Sequence, residues 1–531
     1  MTLAVDWVEY NARKHGDASA LENADTGMVL TWHELEEQVA ATAGMLRNDF
    51  DLGHGDRIAV LAENDIRIFV LQFAAMRIGA ILVPLNWRLS LPELTVLVRD
   101  STPRLVVHDQ DWAHAARELG RTVRAPTLSW GIPGDPAGYE ARIAKSIRVP
   151  DEGIRRLTDP THILYTSGTT GLPKGALATA QTLSWQALNV AEVDSISGLG
   201  DRLLSPLPLF HAGGLNTLAN PILMSGGCVS VLARFDAEQC LRLLGDEKRG
   251  FTHFGGVPTM LQLMCEHPQF NHARFPTVRH MQVAGGVASE RLLDAWAEKG
   301  VTLQTHYGGT EIGPASAAMP MTLARSQPRS CGFPVRHTRL RIVTPEGADP
   351  APGEVGEIWI SGPSITPGYF NEPTNAHASF QGEWFCTGDA GLLDEDGFLY
   401  LVDRYKDMYK SGGENVFPAE VERVLLEHPD IAEVAVIGIP HAKWGESGMA
   451  LIVPRGSAPI TLDGIRAFCE NRLARYKLPT AVEVVESLPR NATGKVVKAD
   501  LGKRYHSGGL PAGSPQRQIP TQLSIANRGN E

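Results

Sequence analysis

The sequence predicts an α/β protein: a large N-terminal domain of doubly wound α/β subdomains plus a small β-barrel or sheet, then a small α+β domain at the C-terminal end. Three observations predict it. Short apolar runs alternate with amphipathic stretches through the first three hundred residues, the rhythm of strand–helix–strand units with parallel strands. From about 330 to 403 the runs shorten and are joined by Gly and Pro turns, which suits antiparallel strands. After Arg404 a helix–strand pattern of ordinary domain size begins. A chain of 531 residues is too long for one compact core and suggests about three domains or subdomains.

The elements follow in order. WHELEEQVAATAGMLRN (32–48) is an amphipathic helix, and RIAVLAE (57–63) is a strand. IFVLQFAAMRIGAILVPL (68–85) is the most apolar stretch. Gln72 and Arg77 interrupt it and Pro84 closes it, so it reads as a buried helix followed by the strand AILVPLN (80–86), with no membrane span. RLVVHD (104–109), CVSVLA (228–233) and HMQVAGG (280–286) are further strands. RLRIVTPEG, GEIWISGP and GFLYLVDR are the short antiparallel strands of the 330–403 region. D-E-D-G at 394–397 is a hairpin turn, since its glycine comes too early for a calcium loop. In the second domain, 418–440 reads as helix then strand, 461–479 as a helix and 480–489 as a strand. The stretch 505–531 is rich in Gly, Pro, Ser and Gln and is expected to be disordered.

Composition excludes several classes. The content is 43% hydrophobic and 21% charged, that of a soluble globular protein. A net charge of −11 argues against a nucleic-acid binder, which carries a basic face. The six cysteines are scattered without a C-x-x-C pair and read as reduced thiols. With no signal-peptide h-region and no peroxisomal terminus, the expected location is the cytoplasm. The histidines at 267, 272 and 280 lack metal-ligand spacing and read as surface residues.

The loop YTSGTTGLPKG (165–175) carries the strongest local chemistry. Gly168, Gly171 and Gly175 let backbone N–H groups approach an anion. Thr166, Ser167, Thr169 and Thr170 add neutral donors, and Lys174 adds a positive charge. The composition fits phosphate, although the lysine lies outside the P-loop pattern. HILY before it is a buried strand, and the chain from Ala176 starts a helix or a second strand. Other stretches are weaker alone. SPLPLFHAGGLN (205–216) offers His211 as a pocket wall, or a core turn with a satisfied histidine. AGGVA (284–288) places a Gly pair at a strand's carboxyl end, where α/β sheets accept ligands. THYGGTEIG (305–313) sets Thr310 and Glu311 beside glycines, and a carboxylate near phosphates suits Mg²⁺. EWFCTGDAG (383–391) offers Asp389 to a ribose.

YTSGTTGLPKG, LFHAGG, YGGTE, TGD (387–389), DRYKDMYKSGGENVFPAEVE and PRNATGK occur in this order. Together they closely resemble the adenylate-forming superfamily of acyl-CoA synthetases, luciferases and peptide-synthetase adenylation domains, over nearly all of 1–504. The resemblance implies an AMP-binding domain at 1–405, a mobile C-terminal lid at 406–504, and a two-step reaction using ATP and CoA as co-substrates with Mg²⁺. On that resemblance Thr166, Ser167, Gly168, Thr169, Thr170 and Lys174 cradle the β- and γ-phosphates. Gly285, Gly286 and Tyr307 line the adenine. Thr310 touches the α-phosphate, and Glu311 with Thr166 holds Mg²⁺. Asp389 and Arg404 bind the ribose. Lys495 bridges the attacking carboxylate and the α-phosphate, Lys406 is the hinge, Gly412 and Gly413 line the pantetheine path, and His211 gates the acyl pocket.

The segment LFHAGG lacks the aspartate that amino-acid-activating relatives use, and no carrier domain follows. Both points favour a free-standing CoA ligase for a hydrophobic monocarboxylic acid, with fatty acid first and an aryl or cinnamoyl-type acid second. Adenylation for a non-CoA acceptor, as in luciferases or carrier-protein loading, is the alternative chemistry. A catalytically silent binder is the non-enzymatic one, and the presence of Lys174, Glu311, Asp389, Arg404 and Lys495 speaks against it. A homodimer stays open.

Overall fold

The computed structural model describes residues 5–150, 155–166, 173–286, 288–372, 379–470, 472–490 and 496–506. The chain divides into two compact units, one of residues 1–405 and one beginning at Lys406.

Two sheets organise the first unit. The six-stranded sheet runs Thr127–Ser129, Leu105–His108, Arg57–Leu61, Ile81–Pro84, Pro160–Thr166, Lys174–Thr179. All its pairings are parallel except the last. The nine-stranded sheet has six parallel strands at its centre, in the order Leu303–Gly309, His280–Val283, His253–Gly256, Arg202–Ser205, Cys228–Val231, Ser19–Asn23. Antiparallel strands extend it at both edges. Each strand expected from an apolar run is present, because fully buried parallel strands carry unbroken Val, Ile and Leu runs.

The helix Ile66–Ile78 is buried on nearly every side, as its all-apolar face distribution requires. Its three polar residues are all paired, Arg67 with Asp65 and Glu140. Arg77, 1% exposed, donates to Asp6 Oδ2 at 2.9 Å and Glu36 Oε2 at 2.6 Å. Gln72 donates to Asn220 Oδ1 at 2.8 Å and lies 3.2 Å from His162 Nε2. The helix Trp32–Phe50 starts at a capping box in which Thr31 and Glu34 satisfy each other's backbone N–H.

Of the barrel or sheet expected over 330–403, the pairings among the described residues make a small antiparallel sheet. Arg339–Val343, Gly356–Ser361 and Trp384–Leu393 lie side by side. Phe380–Gln381 and Leu399–Arg404 share the far edge of Trp384–Leu393. The D-E-D-G turn closes the hairpin into Leu399–Arg404, with Phe398 N donating to Asp394 Oδ1 at 2.8 Å.

The second unit is α+β. The helix Pro418–Leu426 and the long hairpin Ile431–His441/Gly445–Pro454 enclose a core of Val421, Leu425, Val436 and Ile452. The helix expected at 461–479 is shorter: Leu462–Cys469 ends where Glu470 turns extended, and a 3₁₀ turn follows at Arg475–Lys477. The expected tail begins inside a helix, since Lys498–His506 includes residues 505 and 506 and Tyr505 is buried. The rest of that stretch, 507–531, is outside the described residues.

Candidate active site

The antiparallel pair Pro160–Thr166 and Lys174–Thr179 sets Thr166 opposite Lys174 at the mouth of the loop. Gly175 is required there, because a Cβ would lie 2.7 Å from Ile163 Cγ2. The expected donors Ser167, Gly168, Thr169 and Thr170 lie outside the described residues. Lys174 Nζ is 2.9 Å from Glu372 Oε1 and stands 4.8 Å from the centre of the Tyr369 ring.

Glu311 sits in the short connection between Leu303–Gly309 and Gly313–Ala318. The connection is tight: a Cβ on Gly308 would lie 2.3 Å from Gly313 O and 2.4 Å from Pro314 O. Two hydroxyls converge on the Glu311 carboxylate. Thr166 Oγ1 donates to Oε1 at 3.0 Å, and Tyr369 OH donates to the same oxygen at 3.1 Å. Burial and then the Glu311 charge push the Tyr369 phenol above its usual range, so it remains a donor. Glu311 has no basic partner among the described residues, and its Oε2 accepts no hydrogen bond there. Neighbouring Thr310 is half-buried.

A strap at Thr366–Phe370 ties these parts together. Thr366 N donates to Glu311 O at 2.8 Å and Phe370 N to Gly175 O at 2.8 Å. Thr366 Oγ1 donates to Leu177 O at 2.7 Å.

A second cluster lies on the antiparallel sheet. Asp389 and Arg404 are register partners on neighbouring strands, and Arg404 Nε lies 2.7 Å from Asp389 Oδ1. Tyr307, 5% exposed, donates its hydroxyl to Asp389 Oδ2 at 2.9 Å. Burial, with the Asp389 charge beside it, holds that phenol well above its usual range. The strand His280–Val283 ends at Gly285 and Gly286, both exposed, with Gly285 at φ +79°.

His211 caps the short helix Ala212–Leu215, accepting from Gly213 N at Nδ1 over 3.2 Å. Desolvation lowers its pKa to about 4, so the imidazole is neutral near pH 7. In the second unit, Gly412 (φ +64°) and Gly413 (φ +94°) form the turn between Tyr409–Ser411 and Glu414–Val416. Lys406 lies in the turn Tyr405–Asp407, with its side chain outside the described residues. Lys495 is also outside them.

Sequence reading missed Tyr369, Glu372 and the strap, which lie in GPSITPGYFNEP, a stretch with no chemically marked pattern. Two surface assignments are corrected, since His267 is also only partly exposed. His280 is half-buried and stacks on His253 with ring centres 5.4 Å apart, because its strand runs through the middle of the nine-stranded sheet.

The donor set at Glu311 fits Mg²⁺. Among the described residues it is a carboxylate with one oxygen that accepts no hydrogen bond, a flanking hydroxyl and no paired cation. Magnesium takes one or two protein carboxylates and completes its shell with water and substrate phosphates.

The family described as AMP-binding enzyme matches residues 8–370, and its C-terminal domain matches residues 420–495. A feruloyl-CoA synthase from an Amycolatopsis species is 35% identical, over 94% of this chain and 98% of its own length. A long-chain-fatty-acid–CoA ligase from Mycobacterium tuberculosis is 34% identical, over 86% of this chain and 89% of its own. The structure of o-succinylbenzoate coenzyme A synthetase from Bacillus subtilis, in complex with ATP and magnesium ion, superposes with a TM-score of 0.83. It is 30% identical and is matched over 94% of this chain and all of its own length.

Proposed function

This chain belongs to the AMP-binding enzymes, and on that premise we propose that it activates a hydrophobic monocarboxylic acid with ATP and passes the acyl group to coenzyme A. The class is an AMP-forming acid–thiol ligase. The observation that carries the reading is the contact of Thr166 with Glu311 across 145 residues of chain. It joins a phosphate-type loop to a carboxylate with a free oxygen.

In the first step a carboxylate oxygen attacks the α-phosphorus, and the bond to pyrophosphate breaks. Negative charge is redistributed over phosphate oxygens, so fixed donors and cations lower the barrier. Thr166 and Lys174 bind the β- and γ-phosphates, with Lys174 exchanging Glu372 for phosphate. Thr310 meets the α-phosphate. Glu311 and Thr166 hold Mg²⁺, which when bound neutralises charge on the phosphates. Tyr369 fixes the Glu311 carboxylate through the same oxygen that Thr166 bonds. Asp389 accepts from the ribose hydroxyls, held in place by Tyr307 and Arg404. Gly285 and Gly286 leave room for the adenine. Lys495 brings its charge to the attacking carboxylate and α-phosphate.

In the second step the CoA thiol attacks the acyl carbonyl, AMP leaves and a thioester forms. The lid contributes Gly412 and Gly413 to the pantetheine path after a rotation at Lys406. His211, neutral near pH 7, gates the acyl pocket without placing a charge in it.

A fatty acid and an aryl acid are both candidates for the acid. The relatives include proteins named for each.

The test is direct. Purified protein is incubated with Mg-ATP and a panel of fatty, benzoic, cinnamic and amino acids, with and without CoA, and products are identified by mass. Acyl-CoA and AMP are expected for hydrophobic monocarboxylates. Lys495→Ala is expected to lose acyl-AMP formation and still convert supplied acyl-AMP. Reaction of amino acids or dicarboxylates alone refutes the substrate class, and no product with any acid refutes the ligase reading.

A further inference from the structure

Lys174 already holds an anion, and that anion belongs to the chain. Its ammonium lies 2.9 Å from Glu372 Oε1 and faces the Tyr369 ring, whose hydroxyl bonds Glu311. Its backbone is fixed opposite Thr166 by the antiparallel register. The side chain is not fixed in the same way. A lysine ammonium sits on a flexible four-carbon stem, so it can leave one oxygen for another.

Glu372 is delivered to Lys174 by a braced turn. Asn371 before it takes the left-handed φ of +59°, which asparagine tolerates better than most side chains. The Asn371 amide donates to Asp100 O at 2.8 Å and to Asp100 Oδ1 at 3.2 Å. Asp100 Oδ2 in turn accepts from Tyr165 OH at 2.6 Å, and Tyr165 immediately precedes Thr166. Phe370 N adds its bond to Gly175 O. The turn that carries Glu372 is thus tied to both strands at the mouth of the phosphate-type loop. The Lys174 and Glu372 side chains are 25% and 30% exposed, so the pair contributes little to holding the fold. Its place on the phosphate lysine gives it another use.

We propose that Glu372 competes with phosphate for Lys174, a positioning residue that weakens the binding of ATP and of pyrophosphate alike and so speeds the departure of pyrophosphate. The proposal rests on the ligase reading above. Adenylation runs backward while pyrophosphate stays bound. Pyrophosphate is the β- and γ-phosphates of ATP, so it meets the same lysine. Holding both ligands tightly lowers KM without raising turnover. A carboxylate that takes the ammonium back lowers the free energy of the empty site. Phosphate then binds only the fraction of molecules in which Lys174 is released, and apparent affinity falls by that fraction. For a partly exposed pair the factor is about two to five.

The test measures binding of Mg-ATP and of Mg-pyrophosphate by calorimetry, and inhibition of thioester formation by pyrophosphate at varied ATP. It uses the wild-type protein, Glu372→Gln, Lys174→Ala and the double variant. Glu372→Gln keeps the shape and removes the charge. It is expected to tighten both ligands by about twofold to fivefold and to lower the inhibition constant of pyrophosphate by the same factor, with an unchanged melting temperature. In the Lys174→Ala background the same change is expected to alter neither affinity. A purely structural role for Glu372 would lower the melting temperature and tighten nothing. A Glu372→Gln protein that binds either ligand no more tightly than the wild type overturns the proposal. So does equal tightening with and without Lys174, which would mean plain repulsion between Glu372 and phosphate. If no acid yields a thioester, the ligase reading fails and the calorimetry still decides the role of Glu372. If the wild type binds neither ligand, both fail. If Glu372→Gln does not fold, Glu372→Asp, which shortens the reach to Lys174, takes its place with the same expected direction and the same refutation.

Discussion

Among the described residues, Glu311 carries two hydroxyl donors on one oxygen and none on the other. This asymmetry makes a specific variant informative. Glu311→Gln keeps the side-chain oxygen that accepts from Thr166 and Tyr369 but removes the charge. Pyrophosphate release is expected to fall on the order of 100-fold or more, with an unchanged melting temperature. A variant that keeps its rate would remove Glu311 from the phosphate chemistry. At this scale the sequence was legible where residue types are chemically marked. The hydroxyl- and glycine-rich stretch at 165–175 is marked by its own composition, whereas Glu311, Asp389 and Arg404 stand out only through the order of motifs shared with a known family. Tyr369 was hidden because a tyrosine in a Pro/Gly turn has many uses, and only its contact with Glu311 distinguishes it.

At the scale of elements, the site depends on two antiparallel pairs meeting one strap. The Leu303–Gly309/Gly313–Ala318 pair holds Glu311 only because its chains come very close at Gly308. A Cβ at that position meets backbone oxygens, which cannot turn aside as a side chain can. Gly308→Ala is therefore expected to lose about 1–3 kcal/mol of stability or more, together with the turn that presents Thr310 and Glu311. Urea unfolding and pyrophosphate release check both, and a variant as stable and active as the parent refutes the account. Central strands were legible in order because burial on both faces leaves a strong apolar signature. Pairing was not. Nothing local in HILYT or KGALAT says that Lys174–Thr179 runs antiparallel to Pro160–Thr166 before the helix Ala180–Val193 begins. The helix expected through 479 stops at Cys469 without a Gly or Pro to announce it, so local pattern could not place that end.

Across the whole molecule, buried histidines set an acid limit. Desolvation lowers His162 and His211 to about 4 and also depresses His253 and His280. A folded pKa below the unfolded value of about 6.5 means that the unfolded chain binds the proton first. The stabilisation is complete above about pH 6.5 and is lost as pH falls toward 4. Urea midpoints are expected to drop between pH 7 and pH 5, by a loss of about 1–3 kcal/mol. An unchanged or higher midpoint at pH 5 would refute this. The strap at Thr366–Phe370 has a consequence of another kind, in the life of a chain still being made. Thr166 and Glu311 can meet once about three hundred residues have emerged, yet Tyr369 and the bonds of Thr366 to Glu311 and Leu177 come later. At about 5–20 residues per second, on the order of 20–70 s of translation pass before the carboxylate is clamped. A chain cut short of this point holds Thr166 and Glu311 without the contacts from Thr366 and Tyr369 that brace the carboxylate.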